Sequence, residues 1–140
     1  MPSIKAARYL IALSLIIFIL SFTQTAFTVH DHNGNSQMSS LMVLVMGAFA
    51  ILGGGLAEWA IWLANPLYIL SLILFIRSNK KSRTVSIVAA AIGLSFVLWK
   101  NILISESGSE ATIVSLNAGY WLWLISLALS AAGILIRFRS

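Results

Sequence analysis

Long apolar runs separated by short polar segments set the pattern of the chain. The first run extends from Tyr9 to about Phe22 and fades through Thr23, Gln24 and Thr25, behind Lys5 and Arg8. A cleaved leader has the same order of charge followed by apolar residues. Gln24 is a poor −3 residue for cleavage after Ala26, so the run reads as an uncleaved span. Residues 28–40, TVHDHNGNSQMSS, form a first polar loop in which Asn33-Gly34 signals a turn. Residues 41–52 are apolar on every side, but at 1.5 Å per residue they reach only about 18 Å, short of the roughly 30 Å of hydrocarbon in a bilayer. They are too uniformly apolar for a helix lying on a membrane surface, and so predict a half-inserted or protein-covered helix. Residues 56–77 reach about 33 Å and predict a second span. The basic connector Arg77 to Arg83 leads to a third span over 84–103. A Ser-rich loop with Glu106 and Glu110 covers 105–118, and the last span runs from Gly119 to Ile136.

The stretch Gly53 to Pro66, GGGLAEWAIWLANP, is where charge, aromatic rings and backbone breakers meet inside apolar sequence. Pro66 removes a backbone donor and pushes Asn65 away from helical geometry. Either the helix kinks there, or Asn65 caps a new helix with Pro66 at its first position. In lipid such a break persists only where protein or water satisfies the freed carbonyls.

Composition then fixes the class. The chain is 140 residues long, which predicts a single domain over 1–140. It is 59% apolar and 9% charged, against about 25% charged in ordinary soluble domains, so lipid must cover part of it. The net charge of +5 is not a nucleic-acid signal, because the basic residues sit at the ends of apolar runs rather than on a polar face. With no cysteine there is no disulfide, thiolate or Cys-based metal site.

Charge also orients the chain. With four spans and both termini cytoplasmic, eight of the nine Lys and Arg face inward: Lys5, Arg8, Arg77, Lys80, Lys81, Arg83, Arg137 and Arg139. Asp31, Glu58, Glu106 and Glu110 then face outward, and Lys100 alone lies on the opposite side from the other basic residues. Counting 41–52 as a span would strand Lys5 and Arg8 outside. Trp59, Trp62, Trp99, Trp121 and Trp123 all fall at the outer interface as an aromatic belt. The fold expected is therefore all-α: a polytopic membrane protein of four transmembrane helices plus a short non-spanning helix over about 41–52.

Small residues recur at helical spacing as Ser82, Ser86, Ala89 and Gly93, continuing toward Lys100. Ser126, Ser130, Gly133 and Arg137 do the same, and Ser14, Ser21 and Thr25 more weakly. Such faces let helices approach closely, within the monomer or at a homo-oligomer interface. Glu58 and Lys100, near the outer ends of spans, could pair with each other or contact a ligand or partner. His30, Asp31 and His32 are weak candidates for metal ligation in a loop that lacks further ligands. Met38, Met42 and Met46 fall four apart and read as adaptable packing rather than a Cu(I) site. No catalytic set, phosphate loop or cofactor motif is present.

The segments at 58–67, EWAIWLANPL, and 119–126, GYWLWLIS, resemble a pattern in small bacterial inner-membrane proteins of about this length. There an aromatic-x-Ala-Asn-Pro stretch opens one span and a Gly-aromatic-aromatic-x-Trp stretch opens the last. Trp62, Ala64, Asn65, Pro66, Gly119, Tyr120 and Trp123 are the matching positions. The resemblance implies four spans in a bacterial inner membrane and carries no activity with it.

The functional expectation is a non-enzymatic interaction protein of the inner membrane, an accessory subunit or immunity-type protein, surrounded by the lipid bilayer. Its outer rim would contact a membrane or periplasmic partner protein through Glu58, Trp59, Trp62, Asn65, Pro66, Lys100, Tyr120 and Trp123. The alternative is a small-solute or ion transporter or channel subunit, with a cavity at the Gly53–Pro66 break.

Overall fold

The computed structural model describes residues 2–105 and 107–139, so Glu106 of the predicted acidic loop lies outside the described residues. The elements in order are α1 (Pro2–Ser21), β1 (Thr25–Asp31), β2 (Gly34–Ser39), α2 (Ser40–Phe49), a 3-10 turn (Ala50–Gly53), α3 (Leu56–Trp62), α4 (Ala64–Ile76), α5 (Ser82–Ser95), a second 3-10 turn (Phe96–Leu98), β3 (Asn101–Leu103), β4 (Glu110–Leu116) and α6 (Ala118–Arg137).

The all-α expectation is overturned. The two segments predicted as polar loops are strands, joined in one antiparallel sheet of order β2-β1-β4-β3. In β1, Phe27 and Val29 turn inward while His30 is exposed. β1 and β2 close around His32-Asn33, where the Asp31 carboxylate accepts the Asn33 N–H at 2.8 Å.

The span count is corrected as well. Among the described residues three helices are long and apolar enough to cross a membrane: Ser3–Ser21, Leu56–Ile76 (α3 and α4 together) and Ala118–Arg137. The predicted span over 84–103 divides instead. Its helical part, Ser82–Leu98, is shorter, and the chain beyond it joins the sheet. There the Lys100 carbonyl accepts the Ile113 N–H at 2.8 Å, and Asn101 pairs with Thr112. The apolar stretch at 41–52 is the helix α2 and its 3-10 extension.

The bundle packs through the predicted small-residue faces. Ser14, Ser21, Ser82, Ser86, Ala89, Ser126 and Ser130 are all buried, as are Gly93 and Gly133. α1 and α6 run antiparallel: Gly133 lies against Ala7, and the Ser14 hydroxyl donates to the Ser126 carbonyl at 2.7 Å. Several of these serines donate to a carbonyl one turn back in their own helix, as Ser21 does to Phe18, Ser86 to Arg83 and Ser130 to Leu127. A hydroxyl satisfied in this way can be buried without an unpaired polar atom while keeping the helices close.

This antiparallel order brings eight of the nine basic residues to one end. There Arg137 donates to the Phe75 carbonyl at 2.9 Å and to the Ser78 hydroxyl at 2.6 Å, with its guanidinium over the Phe75 ring. The opposite end carries the sheet and α2. It has its own core of Ala26, Phe27, Val29, Phe96, Ala111 and Tyr120, separate from the bundle core of Ala7, Ile11, Phe18, Tyr68, Leu72, Leu127 and Ile134.

Candidate functional site

The Gly53–Pro66 stretch organises the junction between the bundle and this cap. The helix breaks at Leu63, three residues before Pro66, and Pro66 lies within the first turn of α4. Without an N–H, Pro66 cannot bond the carbonyl four residues back, that of Trp62. Asn65 does so in its place: its Nδ2 donates to the Trp62 carbonyl at 3.0 Å. Its Oδ1 accepts the Trp123 indole N–H at 2.8 Å, tying α4 to α6. Asn65 is thus a bridge across the break rather than the helix cap that the sequence offers as one alternative.

The neighbouring aromatic residues are anchored inward too. The Trp62 indole N–H donates to the Leu44 carbonyl of α2 at 2.8 Å. Trp62 rests against Gly47, where an added Cβ would come within 2.7 Å of its ring. Tyr120 is 4% exposed and donates to the Gly93 carbonyl at 2.8 Å. Glu58 and Lys100 are not joined: Glu58 is half-buried and its Oε1 accepts the Leu103 N–H at 2.9 Å, while Lys100 is exposed. Trp59 is half-buried and Pro66 exposed. Of the predicted contact residues, Glu58 and Trp62 bond the cap, Asn65, Tyr120 and Trp123 bond between helices, and Lys100 and Pro66 are exposed.

The weak metal candidates are engaged in the hairpin. His30 Nδ1 lies 2.8 Å from Asn35 Oδ1, and Asp31 holds the turn. Among the described residues no group of three His, Cys, Asp or Glu could hold a metal ion.

Beneath α2 lies a mainly apolar, partly open cavity of about 320 Å³, at the small end of ligand sites. Its wall includes the whole length of α2, the end of α1, β1, β3, α3 and the start of α6. Met38, Met42 and Met46 all line it, so the methionine stripe is part of an adaptable wall. Most of the polar side chains lining it are already paired, as described for Trp62, Asn65, Tyr120 and Trp123. Two positions are not. Ser40 Oγ is buried, with the residue 7% exposed, and has no hydrogen-bond partner among the described residues. Glu58 has one carboxylate oxygen on Leu103, while no partner engages the other among the described residues. An unpaired buried hydroxyl costs about 1–3 kcal/mol. No Lys, Arg or His lines the cavity.

The structure thus defines a class: a bundle with, among the described residues, three helices of membrane-crossing length and composition, capped at one end by an antiparallel sheet and a short apolar helix beside a partly open cavity. Compared with known proteins, the chain matches no family model, no curated protein and no solved structure. The sequence offered a cavity at the Gly53–Pro66 break only as one alternative, without the wall that α2 and the sheet supply, and it missed the sheet. The sheet had a local signal, the Phe27/Val29 alternation beside a turn.

Proposed function

We propose that the protein is a non-enzymatic integral protein of a bacterial cytoplasmic membrane that docks a partner protein on its outer cap, as an accessory subunit or immunity-type protein does. Three apolar helices support the membrane assignment, and the motif likeness at 58–67 and 119–126 supports the bacterial inner membrane. The basic end, with both termini, faces the cytoplasm by the bias of Lys and Arg.

One observation carries the docking role: the two edges of the sheet are treated differently. At β3 the outward N–H of Leu103 is taken by Glu58. At β2, Gly34–Ser39, the outer edge is free. Its sequence, GNSQMS, has neither a charge nor a proline to discourage pairing. Asn35, Ser36 and Gln37 are exposed. Such an edge can add a strand from a partner, with backbone bonds supplying affinity.

The transporter alternative draws support from the cavity beside the Gly53–Pro66 break. Below it the bundle is filled, with Phe18 stacked on Tyr68 at 4.4 Å and Tyr68 hydrogen-bonded to Ser14 at 2.8 Å. That filling favours the docking reading.

The test is affinity capture from native membranes in mild detergent, comparing the wild type with Gln37→Pro. Loss of a fixed-ratio partner, with the variant retained in the membrane, supports strand addition. Undiminished capture refutes it, and a pure homo-oligomer in place of a partner moves the weight to transport.

A further inference from the structure

We infer that the cleft between α5 and α6 at the basic end is a binding site for an anionic phospholipid, its phosphate held by Arg83 and Arg139 and one acyl chain laid on Ala132, Leu135 and Ile136. The inference rests on the membrane assignment above and is independent of the docking role.

Three observations lead to it. The first is how the cleft is built. Arg83 of α5 lines an open cleft of about 440 Å³ together with Ala132, Leu135 and Ile136 of α6 and Arg139 just beyond its end. Positions 132, 135, 136 and 139 fall on one stripe at helical spacing. The three apolar residues form the floor, and one arginine comes from each side. Deeper in the bundle the two helices are held together: Tyr120 donates to the Gly93 carbonyl at 2.8 Å, and Gly93 lies against Leu127.

The second is the depth of the cleft. Arg139 follows the apolar helix that ends at Arg137, and Arg83 precedes the apolar run of α5. Both are exposed, and their stems flank apolar side chains, so their charged heads belong at the level of lipid headgroups. From Ile136 to Ala132 the floor runs about 6 Å toward the centre of the bilayer, where the glycerol and first chain carbons of a phospholipid lie.

The third is the charge. Arg137 is engaged by the protein, on the Phe75 carbonyl and the Ser78 hydroxyl, whereas Arg83 and Arg139 stand exposed at the cleft. Among the described residues the acids Asp31, Glu58 and Glu110 all lie toward the cap, so none is placed to neutralise these two guanidiniums. The guanidinium fork matches phosphate oxygens, and a basic cleft between membrane helices on the cytoplasmic side suits an anionic head group. A choline head would bring its own cation to a site that already holds two.

The test is native mass spectrometry of the full chain in mild detergent, titrated with phosphatidylglycerol and, separately, with phosphatidylcholine of the same chains. Saturable binding of phosphatidylglycerol, tighter than that of phosphatidylcholine, supports the site. Arg83→Gln with Arg139→Gln should weaken it roughly 25-fold, about five-fold for each arginine. Arg77→Gln with Lys80→Gln removes the same charge from the same end outside the cleft, and should weaken it far less. Ala132→Trp, which fills the exposed floor, should weaken it without touching a charge. Equal binding of the two lipids would overturn the proposal. So would equal loss in the two double variants, which would reduce the effect to diffuse attraction. Displacement of the lipid by glycerol phosphate would make the ligand a soluble phosphate and overturn the lipid assignment. Alkaline carbonate extraction of the wild type from membranes separates the two readings. Release would sink the membrane assignment itself, while a retained protein indifferent to phosphatidylglycerol would sink the site alone.

Discussion

The Trp123 indole N–H reaches Asn65 Oδ1 at 2.8 Å, on the residue whose other side-chain atom holds the Trp62 carbonyl. One amide therefore repairs the bond that Pro66 removes and fixes the helix it interrupts to α6. The break in the α3–α4 helix is stable because its freed carbonyl has a protein partner within the bundle.

This relationship can be measured by a double-mutant cycle. Asn65→Ala leaves the Trp62 carbonyl and the Trp123 N–H unpaired and should destabilise the protein by about 1–3 kcal/mol in detergent unfolding. Pro66→Ala restores an N–H for the Trp62 carbonyl. In the Pro66→Ala background the cost of Asn65→Ala should fall by about 1 kcal/mol. Strict additivity would show that Asn65 does not compensate for the proline.

The helix faces were legible in the sequence because their signal is periodic and local. Ser82, Ser86, Ala89 and Gly93 are buried together, and the need for a carbonyl partner near Pro66 follows from proline chemistry alone. The strands were obscured. β2, GNSQMS, is made of turn-like polar residues, and both pairings of β1 carry a register shift, between Thr25 and Phe27 in one and between Thr28 and Val29 in the other. A shift puts neighbours such as Ala26 and Phe27 both inward and erases the period of two. The helix break hinted at a cavity, but its extent has no local signal, because its wall comes from segments as distant as Ser21 and Trp123.

Gly119 marks a close approach between cap and bundle. An added Cβ would lie 2.1 Å from Ser40 Oγ and 2.7 Å from the Thr25 carbonyl oxygen. The first neighbour can be trimmed, but the second is backbone. Gly119→Ala should therefore destabilise the cap by 1–3 kcal/mol or more, and adding Ser40→Gly should recover only part of the loss. Full recovery in the thermal unfolding of the double variant would mean that the Thr25 backbone yields freely.

Glu58 should behave as a clasp on the sheet edge. Glu58→Gln keeps an acceptor for the Leu103 N–H, whereas Glu58→Ala leaves that edge amide open. Hydrogen exchange at Leu103 should accelerate markedly in the alanine variant and little in the glutamine variant. Equal acceleration in both would assign the protection to the carboxylate charge rather than to the hydrogen bond.

Orientation is open to direct chemistry, since the chain has no cysteine. Ser3 and Ser109 are both exposed, one on the first turns of α1 and the other in the β3–β4 hairpin. α1 starts beside the end of α6, where Arg137 and Arg139 lie, so Ser3 belongs to the basic end and Ser109 to the cap. The basic residues should hold their end in the cytoplasm. In intact cells an impermeant thiol reagent should then label Ser109→Cys and spare Ser3→Cys, with both labelled after permeabilisation. Labelling of Ser3→Cys alone would invert the protein and place the free β2 edge in the cytoplasm. Labelling of both in intact cells would mean that the two ends share one face of the membrane, leaving the bundle without a crossing.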